Sequence, residues 1–297
     1  PQSSDPCDNY IEARPESMRY QNCASLGLDP EFTQLQGITV YTQGGAENNL
    51  KAETSTAKTF GVVLQPEFGP AFGDLSLALD YFDIKVENGV QDAGGAAILR
   101  NCYGSSTADF TAGNGLCRLI QRNPQTNQLT VTNGFINVST NKVRGLDFTL
   151  RYVRDIGPGE FRATLQGTHY FEQTSQLFSD DPKVDSAGMI GSPENTATLD
   201  LNYKWKNWRV RYGLDWIDNM DSYAYYEERN PGLFDPATSQ YKMYTPNYFI
   251  QAASLQYEAD KWSVTGGVRN LANKKPPTIS QGVLSTVGNA PLYSGFD

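Results

Sequence analysis

The sequence predicts an all-β fold, a transmembrane antiparallel β-barrel to which the chain contributes about eight long strands or more. Three observations predict it: a composition rich in aromatic rings, a period-two alternation over long segments, and connections that are alternately short and long. Among 297 residues there are 17 Tyr and 14 Phe, and aromatics make up 12%, yet hydrophobic residues reach only 39%. That balance suits strands apolar on one side and wet on the other. Uncharged apolar runs last only a few residues, too short for a helix to cross a bilayer.

The alternation is clearest at 196–205. Ala197, Leu199, Leu201, Tyr203 and Trp205 share one face, and Thr196, Thr198, Asp200, Asn202 and Lys204 the other. The next segment sets Val210, Tyr212, Leu214 and Trp216 against Arg209, Arg211 and Asp215. The same rule places strands near 53–65, 74–87, 135–154, 160–177, 195–205, 208–225, 247–258 and 262–271. Many reach ten residues, whereas soluble strands usually run about five or six and a tilted membrane strand needs about nine to eleven.

Short connections fall at Pro66–Gly73, Asp155–Gly159, Lys206-Asn207 and Ala259–Lys261, and long ones at 88–134, 178–194, 226–246 and beyond 271. Short turns on one rim and long loops on the other is the outer-membrane layout, with the long side facing out. Aromatics flank the short turns: Tyr203, Trp205 and Trp208, then Tyr257 and Trp262, then Tyr152 and Phe161. Tyr223, Tyr225, Tyr226, Tyr244 and Tyr248 lie near the long loops. An amphipathic ring favours the headgroup layer, so both sets read as interfacial belts.

Net charge is −9, from 33 acidic and 24 basic residues, which excludes the basic stripe that nucleic-acid binding needs. Cys7 and Cys23, and Cys102 and Cys117, have no zinc-site spacing, and His169 is the one histidine. Two local disulfides in long outer loops is the better reading, each contributing roughly 3 kcal/mol and placing the loops outside the cytosol. No acid–base set, triad or metal centre is visible, so neither catalysis nor a cofactor is expected. Asp180, Asp181 and Asp185 could hold a divalent cation or simply solvate a loop.

Following strand direction puts both ends of the chain on the outer side. Bacterial barrels keep their termini in the periplasm, and an open sheet edge in lipid is prohibitive. Further strands are therefore expected before Pro1 and after Asp297.

Four segments carry a resemblance. Gly266-Gly267-Val268-Arg269-Asn270-Leu271-Ala272-Asn273-Lys274-Lys275-Pro276-Pro277 looks like the signature before the last outer loop of TonB-dependent receptors. Asn49-Leu50-Lys51-Ala52-Glu53-Thr54-Ser55, with Ala52 where Pro is usual, resembles another segment of that family, as does its continuation through Thr59–Pro66. Asp80–Glu87 resembles the partner strand, and Asn141–Asp147 the entry to a later one. The four lie in family order across 49–277.

The resemblance implies a barrel of about 22 strands around an N-terminal plug, with residues 1–297 all barrel and the plug and TonB-contacting segment outside them. It implies an outer-membrane active-transport receptor of a Gram-negative bacterium. Such a receptor takes up a scarce solute (siderophore, cobalamin or glycan) with energy from TonB–ExbB–ExbD, which contacts the plug. Lipid, lipopolysaccharide and a small-molecule or oligosaccharide substrate would be its other partners. The alternatives are a passive porin-like channel and a soluble glycan-binding β-sandwich. Candidate substrate residues are Tyr223, Tyr225 and Tyr226, whose rings could stack on a sugar or chelate or belong to the belt. Arg209 and Arg211 on the wet face could touch substrate or, with Arg162, Gln166, Asp200, Lys204 and Asp215, solvate the lumen and dock the plug.

Overall fold

The structure, a computed structural model, describes residues 5–34, 37–43, 50–69, 71–178, 181–229, 232, 234–239, 241–280 and 289–291. The strands are β1 (Thr39–Gln43), β2 (Thr54–Leu64), β3 (Asp74–Asp92), β4 (Ile120–Arg122), β5 (Leu129–Ile156) and β6 (Gly159–Gln176). They continue with β7 (Val184–Asp185), β8 (Asn195–Trp205), β9 (Trp208–Ile217), β10 (Met220–Asp221) and β11 (Tyr244–Thr245). Last come β12 (Tyr248–Glu258), β13 (Ser263–Arg269), β14 (Thr278–Ser280) and β15 (Asn289–Pro291). Among the described residues the α-helices are α1 (Met18–Ser25), ahead of β1, and α2 (Gly95–Gly104), α3 (Thr107–Ala112) and α4 (Tyr223–Arg229) in the connections.

The main sheet runs β13-β12-β9-β8-β6-β5-β3-β2, so every long strand neighbours the next one in sequence. The row starts at β13 and ends at β2, an open stretch of meander. Contacts divide the chain into two compact units. One comprises 5–54, 86–140 and 176–181 within the described residues, and the other 55–85, 141–175 and 182 onward.

In the second unit the strands form a single layer. Register aligns Phe161, Tyr203, Val210 and Leu255 in one row, and Ala163, Leu201, Tyr212, Ala253 and Val268 in another. The opposite face aligns Arg162, Asn202, Arg211 and Ser254, then Thr164, Asp200, Ala252 and Arg269. Alternation within each strand thus becomes one apolar face and one polar face across the sheet. Among the described residues nothing covers the apolar face. No residue of β8 or β9 is buried, and Phe60 stays 73% exposed, Val264 61% and Trp262 57%. In water so much bare apolar surface would cost heavily; in lipid it is the stable arrangement.

Rings gather at the short-turn rim. Trp208 meets Tyr257 at 4.7 Å between centroids, and Tyr257 meets Trp262 at 5.5 Å. The Tyr152 hydroxyl donates to the Phe72 carbonyl at 2.6 Å, and the Tyr203 hydroxyl to the Ile156 carbonyl at 2.9 Å. Two glycines let rings lie flat on a neighbouring strand. A Cβ at Gly145 would sit 2.6 Å from the Phe82 ring, and one at Gly167 2.8 Å from the Phe148 ring.

The first unit has a conventional core. Cys7 bonds Cys23 (S–S 2.03 Å) and Cys102 bonds Cys117 (1.99 Å), the pairing expected from their spacing. Around the disulfides pack Tyr10, Ile98, Leu99, Tyr103, Leu119, Leu129 and Val131. β1 joins β5 in parallel and β4 joins it antiparallel. Ser17 caps α1 by accepting from the Tyr20 amide at 3.2 Å, and Ser106 caps α3 by accepting from Asp109 at 3.2 Å.

Three expectations need correction. The connection 88–134 is not merely a loop: β3 extends to Asp92, β5 begins at Leu129, and α2, α3 and β4 lie between. The strand expected over 208–225 stops at Ile217, because a helix starts after Asp221 and Ser222 and the Asp221 carboxylate accepts from the Tyr223 amide at 2.8 Å. Tyr248 is not a belt residue. It shares the polar-face parity of Ile250 and Ala252, and is buried. Asn49 and Asp180 lie outside the described residues.

Candidate functional site

The tyrosines singled out by sequence sit on α4, within a compact outer connection between β9 and β12. β10 and β11 pair, and Met220 of β10, Thr245 of β11 and Met243 are fully buried. The Tyr223 hydroxyl donates to the Tyr241 carbonyl at 2.8 Å. Tyr225 and Tyr226 meet edge to face at 5.0 Å, Tyr226 packs on Phe234 at 5.4 Å, and Phe234 on Tyr241 at 5.3 Å. Glu227 accepts from the Phe234 amide at 2.8 Å and closes the loop onto the helix. These rings form the packing of the connection itself.

Arg209 and Arg211 are elsewhere. They stand near the start of β9, beside the two-residue turn in which Lys206 adopts φ 52°. Six residues of strand separate Arg211 from Ile217, about 20 Å, so the structure does not bring the arginines and the tyrosines together. Arg211 pairs with Asp200 across the hairpin, and Arg162 pairs with Glu160 at 2.6 Å. Arg209 faces Lys204 in register. The Thr168 hydroxyl donates to Asp147 at 2.6 Å. The polar face is a surface of paired charges and hydroxyls, suited to water or to a polar body lying against it.

His169 lies on the apolar-face parity of β6, with Nδ1 2.7 Å from Asn195 Oδ1 and its ring edge-on to Phe171 at 4.7 Å. Asp181 accepts from Arg100 at 3.2 Å. Asp185 accepts from the Gln173 and Ala187 amides, each at 3.0 Å. Both carboxylates have structural duties, and no group of three or more metal-ligating residues occurs among the described residues.

Sequence reasoning missed the dry ionic network of the first unit. Asp5 and Arg122 make two hydrogen bonds at 2.7 Å, and Arg122 also donates to the Tyr103 hydroxyl at 2.9 Å. Burial alone would lower the Arg122 pKa, but Asp5 and Tyr103 outweigh it and the guanidinium is held charged. Burial pushes the Tyr103 phenol up, against the pull of Arg122. No short motif joins positions 5, 103 and 122, so only the fold reveals them.

Comparison with known proteins settles the family. The profile described as TonB dependent receptor-like, beta-barrel, matches residues 24–271. The chain belongs to this family. TonB-dependent receptors are outer-membrane proteins of Gram-negative bacteria, transporters rather than enzymes. A double-mutant ferric enterobactin receptor from Pseudomonas aeruginosa shares the fold at TM-score 0.53 and 17% identity, over 86% of this chain and 31% of that one. A single mutant of the same receptor, in complex with enterobactin, gives TM-score 0.52 and 18% identity over the same shares. The chain spans under a third of the solved receptors it matches. No curated protein matches it.

Proposed function

We propose that residues 1–297 form part of the barrel wall and outer connections of a receptor that binds a scarce solute outside the cell and imports it with TonB-derived energy. The solute is a siderophore, a cobalamin or a glycan. The plug, and the segment that TonB–ExbB–ExbD engages, belong to the rest of the receptor. Lipid and lipopolysaccharide bathe the apolar face.

One observation carries the reading: a single-layer meander with an uncovered apolar face backed by a face of paired charges. A soluble sandwich would bury that apolar face under a second sheet. A passive channel would use the same wall, and energy dependence separates the two. Growth on a panel of labelled iron chelates, cobalamin and oligosaccharides should be compared in parent, receptor-deletion and TonB-deletion strains. Uptake of one solute should be lost in both deletions. Uptake that persists without TonB would make the chain a passive pore.

A further inference from the structure

We propose that the first unit contains a seat for an uncharged, polyhydroxylated solute, a sugar ring. This rests on the receptor reading and narrows its substrate. The seat is a recess of about 350 Å³ at the ends of β2, β3, β5 and β6 that lie away from the short turns. Its rim is exposed and made by Thr54, Glu87 and Asn88. Its floor is buried and made by Ser139 and Phe178, with Asn137, Thr140 and Gln176 between.

Hydroxyl and amide groups dominate this lining, with one carboxylate, one aromatic ring and no cation. A ring of vicinal hydroxyls offers alternating donors and acceptors, which hydroxyl and amide side chains match without counter-charge. Among the described residues no cationic side chain lines the recess, so an anionic metal chelate would gain no counter-charge from it. The volume is at the low end of the ~300–1,000 Å³ typical of small-ligand pockets, so it admits one or two rings rather than a macrocycle.

A second observation points to the same place. Asn88 holds φ 56° inside β3, a left-handed backbone that non-glycine residues seldom adopt within a strand. Asn137 fixes it. Its amide donates to the Asn88 carbonyl at 2.7 Å and to the Lys51 carbonyl at 2.8 Å, and accepts from the Lys51 amide at 2.7 Å. Next door, a Cβ at Gly89 would collide with the Ser139 hydroxyl. A strained residue held this firmly, at the mouth of a polar recess, fits a preorganised binding rim.

The test uses the full-length receptor purified from the outer membrane in detergent. Neutral mono-, di- and trisaccharides of glucose, xylose, mannose and galactose are titrated by calorimetry, with ferric citrate and a ferric catecholate in parallel. At least one neutral sugar should bind. Asn88→Gly, which keeps the backbone angle, and Thr140→Val, which removes one hydroxyl, should each weaken it about tenfold or more. Thr140→Val leaves the strand backbone alone, so the test stands if Asn88→Gly folds poorly. Absence of sugar binding, or sugar binding indifferent to both substitutions, overturns the seat. If a ferric chelate binds instead and its uptake needs TonB, the seat fails while the receptor reading survives.

Discussion

Arg122 and Asp5 sit in a dry place, with side chains 10% and 1% exposed. Arg122→Ala leaves the buried Asp5 carboxylate without its counter-charge, with the Cys7 amide still donating to it at 2.9 Å, and the first unit should lose about 3–5 kcal/mol. Hydrogen exchange under increasing urea should show residues 5–34 and 95–122 opening early while β8 and β9 keep their protection. Equal opening everywhere would count against the network. Tyr103 gives this unit a pH signature. Its folded pKa is raised from the usual 10.0, so its contribution is complete below that value. Above pH 10 the unfolded phenol ionises first, and stability falls as pH climbs towards the folded pKa. Tyr103→Phe should remove that part of the alkaline loss in a urea titration followed across pH 8–11.

At the level of elements, the two faces of β8 make opposite predictions from adjacent residues. Leu199→Arg puts a cation on the bare apolar face and should cost about 2–4 kcal/mol near the bilayer midplane. Thr198→Arg, one residue away on the polar face, should be close to neutral. Unfolding from lipid bilayers in urea measures both, and equal effects would mean that β8 has no lipid side. Gly167→Ala should cost about 1–3 kcal/mol, because a Cβ there meets the Thr196 carbonyl at 2.5 Å as well as the Phe148 ring. Cys102→Ser with Cys117→Ser should remove roughly 3 kcal/mol from the first unit and expose 95–122 to protease. How legible each element was in the sequence follows from its periodicity. β8 and β9 showed period two without interruption, and their bounds follow it to within a residue at most ends. The strand predicted over 208–225 runs three residues into α4, although Asp221 and Ser222 are capping residues. α1 and α3 were missed, although Ser17 and the Ser106-Thr107-Ala108-Asp109 run carry cap signals.

For the molecule as a whole, the full-length receptor should remain with the outer membrane after alkaline or urea extraction and enter solution only with detergent. Release without detergent would contradict the lipid-facing assignment of Phe60, Val210, Leu255 and Val264. Local pattern alone was enough to read the β-class, the two faces of β8 and β9, the order of short and long connections, the cysteine pairing and the family. All of these rest on residues near one another in the chain, where spacing alone fixes which side chains share a face. The folded chain adds what no local pattern encodes. It placed Arg209 and Arg211 far from α4, turned the tyrosines of α4 into packing, joined Asp5, Tyr103 and Arg122, and gathered Thr54, Asn88, Ser139 and Thr140 around one recess. Those groupings depend on strand register and loop closure, which bring together residues dozens of positions apart.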